Sequence, residues 1–195
     1  MPQSNPPPSP VTDKGELAPG ALGFPVVGIG ASAGGLEALM RFFENMPSDA
    51  GMAFVVILHL SPEHESNAAE ILQRATVMSV AQVTRSTPVE ANHVYVIPPG
   101  MTLTMSGGQL QVAASLRIAG PHTEIDLFFR TLADAHGARA FCIVMSGMGS
   151  DGAVGLTRVK ENGGIVMAQL PGDAVHDTMP RAAIATGMVD IVLPA

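Results

Sequence analysis

An apolar run, Phe24-Pro25-Val26-Val27-Gly28-Ile29, passes through Gly30-Ala31-Ser32-Ala33-Gly34-Gly35 and enters Leu36-Glu37-Ala38-Leu39-Met40-Arg41-Phe42-Phe43. The last segment repeats its apolar residues at helical spacing. A buried strand that turns within a few residues into an amphipathic helix points to an α/β architecture. The bend carries a hydroxyl, Ser32. Gly30 to Gly34 fit the G-x-S-x-G nucleophile-elbow pattern in its strand–turn–helix setting. Small neighbours let the backbone turn sharply and leave room for a substrate carbonyl. Amide N–H groups at the helix start face the place where negative charge would develop. Ser is also a favoured helix N-cap residue, so the motif alone leaves a structural role open.

A cofactor reading competes with the elbow. Gly28-Ile29-Gly30-Ala31-Ser32-Ala33 also fits the G-x-G-x-x-G/A dinucleotide fingerprint, which needs an acidic residue about 20 residues further on. The next apolar run, Met52 to Leu58, ends instead in His59-Leu60-Ser61-Pro62, and the first acid is Glu63, beyond the proline. That weakens a dinucleotide-dependent oxidoreductase and brings forward His59. Ligands of parallel sheets bind at the carboxyl ends of the strands, where Ser32 and His59 both fall. A serine hydroxyl needs such a neighbouring base to become nucleophilic at neutral pH. A third apolar run, Ala140 to Met145, leads through Ser146-Gly147-Met148-Gly149-Ser150 to Asp151. Asp151 can cap the helix expected at 152–162, or it can orient the His59 imidazole. Chain order does not decide between these, because a triad is defined by geometry and role.

Together the segments Val26 to Gly35, the strand ending in His59, and Ser146 to Gly152 resemble the catalytic domain of chemotaxis protein-glutamate methylesterases, the CheB family. Val94 to Gly100, Ile125 to Arg130 and Met179 to Ile184 add to the resemblance, which covers roughly residues 25 to 193. It implies a serine hydrolase that removes methyl groups from glutamyl methyl esters on chemoreceptors and, in many members, deamidates receptor glutamines. The family's serine, histidine and aspartate fall on Ser32, His59 and Asp151. The methionine whose backbone N–H helps hold the oxyanion falls on Met148, and Ala33 supplies the second backbone donor. Where the family commonly has Thr after the nucleophile, this chain has Ala33. A phosphoacceptor receiver domain is not expected, because the chain has no room for one. The chain resembles the esterase module of hybrids in which a methyltransferase domain follows, or a free-standing esterase. The implied partners are methylated cytoplasmic helices of chemoreceptors and, in the hybrid case, a methyltransferase domain. A catalytically weak docking module is the alternative.

Composition fits one catalytic domain. Of 195 residues, 47% are apolar, enough for one substantial core and too few for two ordinary domains. A net charge of −7 argues against nucleic acid and anionic membrane as partners. The apolar runs are shorter than a membrane span, and the Met1-Pro2-Gln3-Ser4 start lacks the pattern of a signal peptide. A cytoplasmic location is expected. Cys142, the only cysteine, lies in an apolar run and reads as a core residue.

Residues 1–24, rich in Pro and Ser, are expected to be a disordered tail, with the catalytic domain over 25–195. Beyond the tail the pattern predicts a doubly wound, mostly parallel sheet with helices on both faces, Rossmann-like and three-layered. Strands are predicted near 25–30, 53–59, 79–83, 140–146, 164–168 and 189–193. Helices are predicted near 34–45, 65–75, 123–136, 152–162 and 180–187. Residues 92–97, 101–105 and 109–113 read as short strands that break this alternation, with Ser106-Gly107-Gly108 as the turn of a small antiparallel hairpin between the last two.

No cofactor and no metal are expected. His59 and His64 with Glu63 and Glu65 are interrupted by Pro62 and lack fixed ligand spacing. His93, His122, His136 and His176 read as strand-end, loop, helix-end and loop residues. Arg181 reads as a salt-bridge residue, and Arg130 as the centre of an i,i+4 network with Asp126 and Asp134.

Overall fold

Six consecutive buried residues, Val26–Ala31, form strand β1, and six more, Ala53–Leu58, form β2. Burial on both faces is the mark of a strand inside a covered parallel sheet. The computed structural model describes residues 22–59, 66–115 and 123–195. Between β1 and β2 runs helix α1 (Gly35–Asn45), which buries Ala38, Leu39 and Phe43. The chain continues through α2 (Ala68–Gln73), β3 (Ser79–Gln82), β4 (Thr87–Pro88) and β5 (His93–Val96). A hairpin follows, β6 (Met101–Ser106) and β7 (Gln109–Ala114). Then come α3 (Glu124–His136), β8 (Ala140–Val144), α4 (Gly155–Glu161), β9 (Ile165–Gln169), α5 (Thr178–Ala185) and β10 (Ile191–Leu193).

Among the described residues the main sheet has seven strands in the order β10-β9-β8-β1-β2-β5-β3, and every neighbouring pair is parallel. The chain winds outward from β1 on the β2 side, then returns to place β8 on the other side of β1. That reversal beside β1 opens the crevice in which doubly wound folds bind ligands. Helices α1 and α2 pack on one face around Leu39, Phe43, Phe54 and Leu72. Helices α3, α4 and α5 cover the other around Ile125, Phe128, Leu156, Val159 and Met179. No helix of the described residues is long and apolar enough to cross a membrane.

Two expectations need correction. Residues 92–97, read as an exception to the alternating pattern, belong to the main sheet: β5 sits between β2 and β3. Val94, Tyr95 and Val96 are all buried, and a continuous apolar run suits a strand covered on both faces. The small antiparallel sheet is instead β4-β7-β6, with the two-residue β4 completing the hairpin. At the other end, Leu22 and Phe24 are partly buried against the core, so packing begins before residue 25. Residues 1–21 of the expected tail lie outside the described residues.

The glycines of β1 have a packing role. A Cβ on Gly28 would come within 3.0 Å of the Phe128 ring and 3.1 Å of Leu132, and one on Gly30 would collide with Ile125. All three side chains belong to α3. The Gly28-x-Gly30 spacing that resembled a dinucleotide fingerprint lets this helix lie close across β1.

Candidate active site

Ser32, His59 and Asp151 follow three adjacent strands, β1, β2 and β8, at their carboxyl ends. The ladder holds this end in register: the Ser32 N–H donates to the Ser146 carbonyl (3.0 Å), and the His59 N–H donates to the Ala31 carbonyl (3.2 Å). After Ser32 the chain turns at Gly34, whose φ of +70° is the left-handed conformation that favours glycine. Space is equally restrictive there, since a Cβ would meet Val175 at 2.7 Å and the Ser146 hydroxyl at 2.9 Å. The loop after β8 passes close to the serine, and a Cβ on Gly147 would come within 2.9 Å of Ser32 Cβ.

Ser146 braces the bend. Fully buried, its hydroxyl donates to the Ala33 carbonyl (2.9 Å) and accepts the His176 N–H (3.0 Å). The Gly147 N–H in turn donates to the His176 carbonyl (2.9 Å). The Gln169 side chain accepts the Ser146 N–H (2.8 Å) and donates to Asp173 (2.8 Å), which pairs with Arg41 of α1 at 3.1 Å. Sequence reasoning gave Ser146, Gln169 and the His176 backbone no supporting role. Their roles arise from β8, β9 and the following loop meeting in space, which no local spacing announces.

His59 and Asp151 are in contact. His59 Nε2 lies 2.9 Å from Asp151 Oδ2, with side chains 9% and 3% exposed. The carboxylate is fixed from four directions. Oδ2 also accepts the Ile125 N–H (3.0 Å), and Oδ1 accepts the N–H groups of Asp126 (3.0 Å) and Gly152 (2.8 Å). Burial pushes the Asp151 carboxyl up, but the His59 hydrogen bond and the Ile125 and Asp126 N–H groups outweigh it, and the net shift is downward. Asp151 therefore stays ionised beside the ring.

The helix-capping role foreseen for Asp151 falls mainly on another helix. It satisfies the first turn of α3, whose N-cap Thr123 makes no side-chain capping bond. The segment after Asp151 makes turns before α4 begins at Gly155, later than the predicted 152. Asp126 of α3 reaches the other way and accepts the Gly155 N–H at 2.6 Å. Asp151 thus serves the start of the helix that carries Asp126, and Asp126 the start of the helix that follows Asp151.

A residue not singled out from the sequence completes the cluster. Glu124, the first residue of α3, brings Oε2 to 3.9 Å from His59 Nε2, with its side chain 13% exposed. One donor atom from each of His59, Glu124 and Asp151 lies within 4.8 Å of the others, close enough to suggest a metal. The donor chemistry favours a proton: Asp151 already accepts four hydrogen bonds, and a cation would have to displace at least one of them.

Met148 lies on the loop after β8 and is exposed, and Ala33 lies in the turn after Ser32. Glu63, His64 and Glu65, weighed as metal ligands, lie outside the described residues, as does His122. His93 begins β5, and its Nδ1 lies 3.0 Å from the Ala91 carbonyl. His136 ends α3, His176 is exposed in the loop before α5, and Cys142 is a buried free thiol. Arg181 pairs with Asp177 at 2.6 Å, as expected of a salt-bridge residue. The Arg130 network differs from the one expected. Arg130 donates to the backbone carbonyl of Asp126 (3.3 Å), and Asp134 pairs with Arg158 of α4 (2.6 Å).

Comparison with known proteins decides the family. The CheB methylesterase family model matches residues 27–195. The chain belongs to the CheB methylesterase family. A Pyrococcus horikoshii protein named protein-glutamate methylesterase/protein-glutamine glutaminase is 33% identical over 172 residues, covering 86% of this chain and 47% of its own length. A Geobacillus kaustophilus protein of the same name is 32% identical over 174 residues, 87% of this chain and 50% of that one. This chain thus spans about half the length of these relatives. A segment of a 104.1 kDa Rhodobacter capsulatus protein is 42% identical over 127 residues, 64% of this chain and 13% of that one. The CheB methylesterase catalytic domain of Thermotoga maritima superposes with a TM-score of 0.80 at 26% identity, over 89% of this chain and 94% of that one.

Proposed function

We propose that the chain is a serine esterase that hydrolyses glutamyl methyl esters on the cytoplasmic helices of chemoreceptors. The observation that carries this reading is the buried His59–Asp151 pair at 2.9 Å, at the same sheet end as the Ser32 bend. Family membership and the names of the relatives support the substrate class.

Ser32 Oγ attacks the γ-carbonyl carbon of the ester while His59 takes its proton. With Nε2 engaged by Asp151, the nitrogen that serves as base is Nδ1. The ionised Asp151 stabilises the imidazolium as it forms. The carbonyl π electrons move to oxygen, and the backbone N–H groups of Met148 and Ala33 stabilise that oxyanion. Collapse of the tetrahedral intermediate breaks the C–O bond, and methanol leaves with the proton held by His59. Water, deprotonated by His59, then attacks the acyl-enzyme, and Ser32 departs with the proton to leave a free glutamate. A glutamine side chain follows the same route with ammonia as leaving group, so deamidation is the second activity.

A methyltransferase domain is the partner we assign in the hybrid case, and similarity to a segment of a much larger protein supports a module within a longer chain. A cytoplasmic location follows from the substrate helices. The test is methanol release from a methylated receptor fragment by the wild type and by His59→Ala. Release by the wild type and its loss in the variant, by roughly as much as deletion of a triad serine costs, is the expected result. A folded wild type that releases no methanol contradicts the proposal.

A further inference from the structure

Asp151 would suffice to orient His59, yet a second carboxylate converges on the same ring nitrogen. Glu124 Oε2 lies 3.9 Å from His59 Nε2. Its position is built: Oε2 accepts the Thr123 N–H (3.1 Å), and Oε1 accepts the Ser115 hydroxyl (3.3 Å). It also stands in the first turn of the 13-residue helix α3, where the helix dipole favours negative charge. Glu124 and Asp151 offer oxygens within 4.8 Å of each other. Two carboxylates that close repel, and a positive charge on the ring they both face relieves the repulsion. Next to the nucleophile, Ala33 contributes a methyl and no hydroxyl to hold the ring.

We infer that Glu124 is a positioning residue for the esterase, a second carboxylate that acts through His59 to favour the imidazolium formed during acyl transfer. This rests on the reading of Ser32 and His59 as nucleophile and base. The proton path is unchanged: the proton passes from Ser32 Oγ to His59 and on to the leaving methanol, and Glu124 neither gives nor takes it. Its contribution is present only while the ring is charged, so it lowers the barrier and leaves substrate binding alone.

The test compares the full chain with Glu124→Gln, which keeps an acceptor for the Thr123 N–H, turns an amide NH2 that the Ser115 hydroxyl can accept toward Ser115, and removes the charge. Two rates are read: the second-order rate of Ser32 labelling by a fluorophosphonate, located by mass spectrometry, and kcat and KM for methanol release. The expected result is a fall on the order of tenfold in labelling and in kcat, with KM unchanged. Glu124→Ala is the second variant. It also loses both hydrogen bonds, so its melting temperature falls while its rate loss matches that of Gln. Labelling at Ser32 that proceeds at the wild-type rate in both variants overturns the role of Glu124 and spares the esterase reading. Loss expressed in KM with kcat intact also overturns it, because that marks a binding residue. A wild type that is not labelled at Ser32 overturns the nucleophile and, with it, this inference.

Discussion

Asp151 concentrates more obligations than any other side chain at the site. One carboxylate orients His59, closes the first turn of α3 and accepts the Gly152 N–H. Asn is nearly isosteric, but its amide can present only one oxygen to these donors. Asp151→Asn should therefore lower kcat by up to about 10⁴-fold through a mis-set histidine tautomer, and lower the melting temperature through an unsatisfied helix start. Kinetics and thermal melts on the same preparation check both. A lower melting temperature with kcat unchanged would reduce Asp151 to its capping role. Ser32, His59 and Asp151 stand out in the sequence as candidates because each follows an apolar run, and glycines punctuate the turns after β1 and β8. Glu124 does not. Its proximity to His59 is made by the packing of α3 across β1, and 65 positions of chain separate the two residues.

At the scale of elements, α3 is the organising piece. Its first turn faces the site and meets Gly30 through Ile125, its middle packs on Gly28, and its end buries His136. The parallel strands were legible because they are continuous apolar runs, and the same property disguised β5. Its run resembles that of a strand in either sheet, and only the pairing with β2 and β3 assigns it. His136 is 3% exposed, and neither ring nitrogen has a hydrogen-bond partner among the described residues. Burial first, and the positive Arg139 second, push its pKa from 6.5 down to about 4. The unfolded chain takes up this proton near 6.5 and the folded chain resists until about 4. Stability from this group is therefore complete above the upper value and is lost as pH falls between the two. The loss reaches roughly 3 kcal/mol. His136→Leu should flatten that part of the profile, so that its melting temperature drops less than that of the wild type between neutral pH and the lower value. Parallel profiles for the two proteins would show that His136 does not drive the acid sensitivity.

At the scale of the molecule, function follows from strand order. Placing β8 beside β1 on the side opposite β2 brings three loops, far apart in the chain, to one end of the central sheet. Those loops carry Ser32, His59 and Asp151. The doubly wound class was legible from alternating strand and helix patterns. The order of strands was not, since periodicity carries no information on which side of β1 a later strand returns. The net charge of −7 restricts partners without selecting one.

The most direct measurement is methanol release from one methylated receptor fragment by the wild type and by Ser32→Ala. Alanine fits the same turn, so the melting temperature should be unchanged. Turnover should fall on the order of 10⁶-fold, the cost of deleting a triad serine. A folded Ser32→Ala protein that releases methanol at a rate near that of the wild type would contradict the serine mechanism.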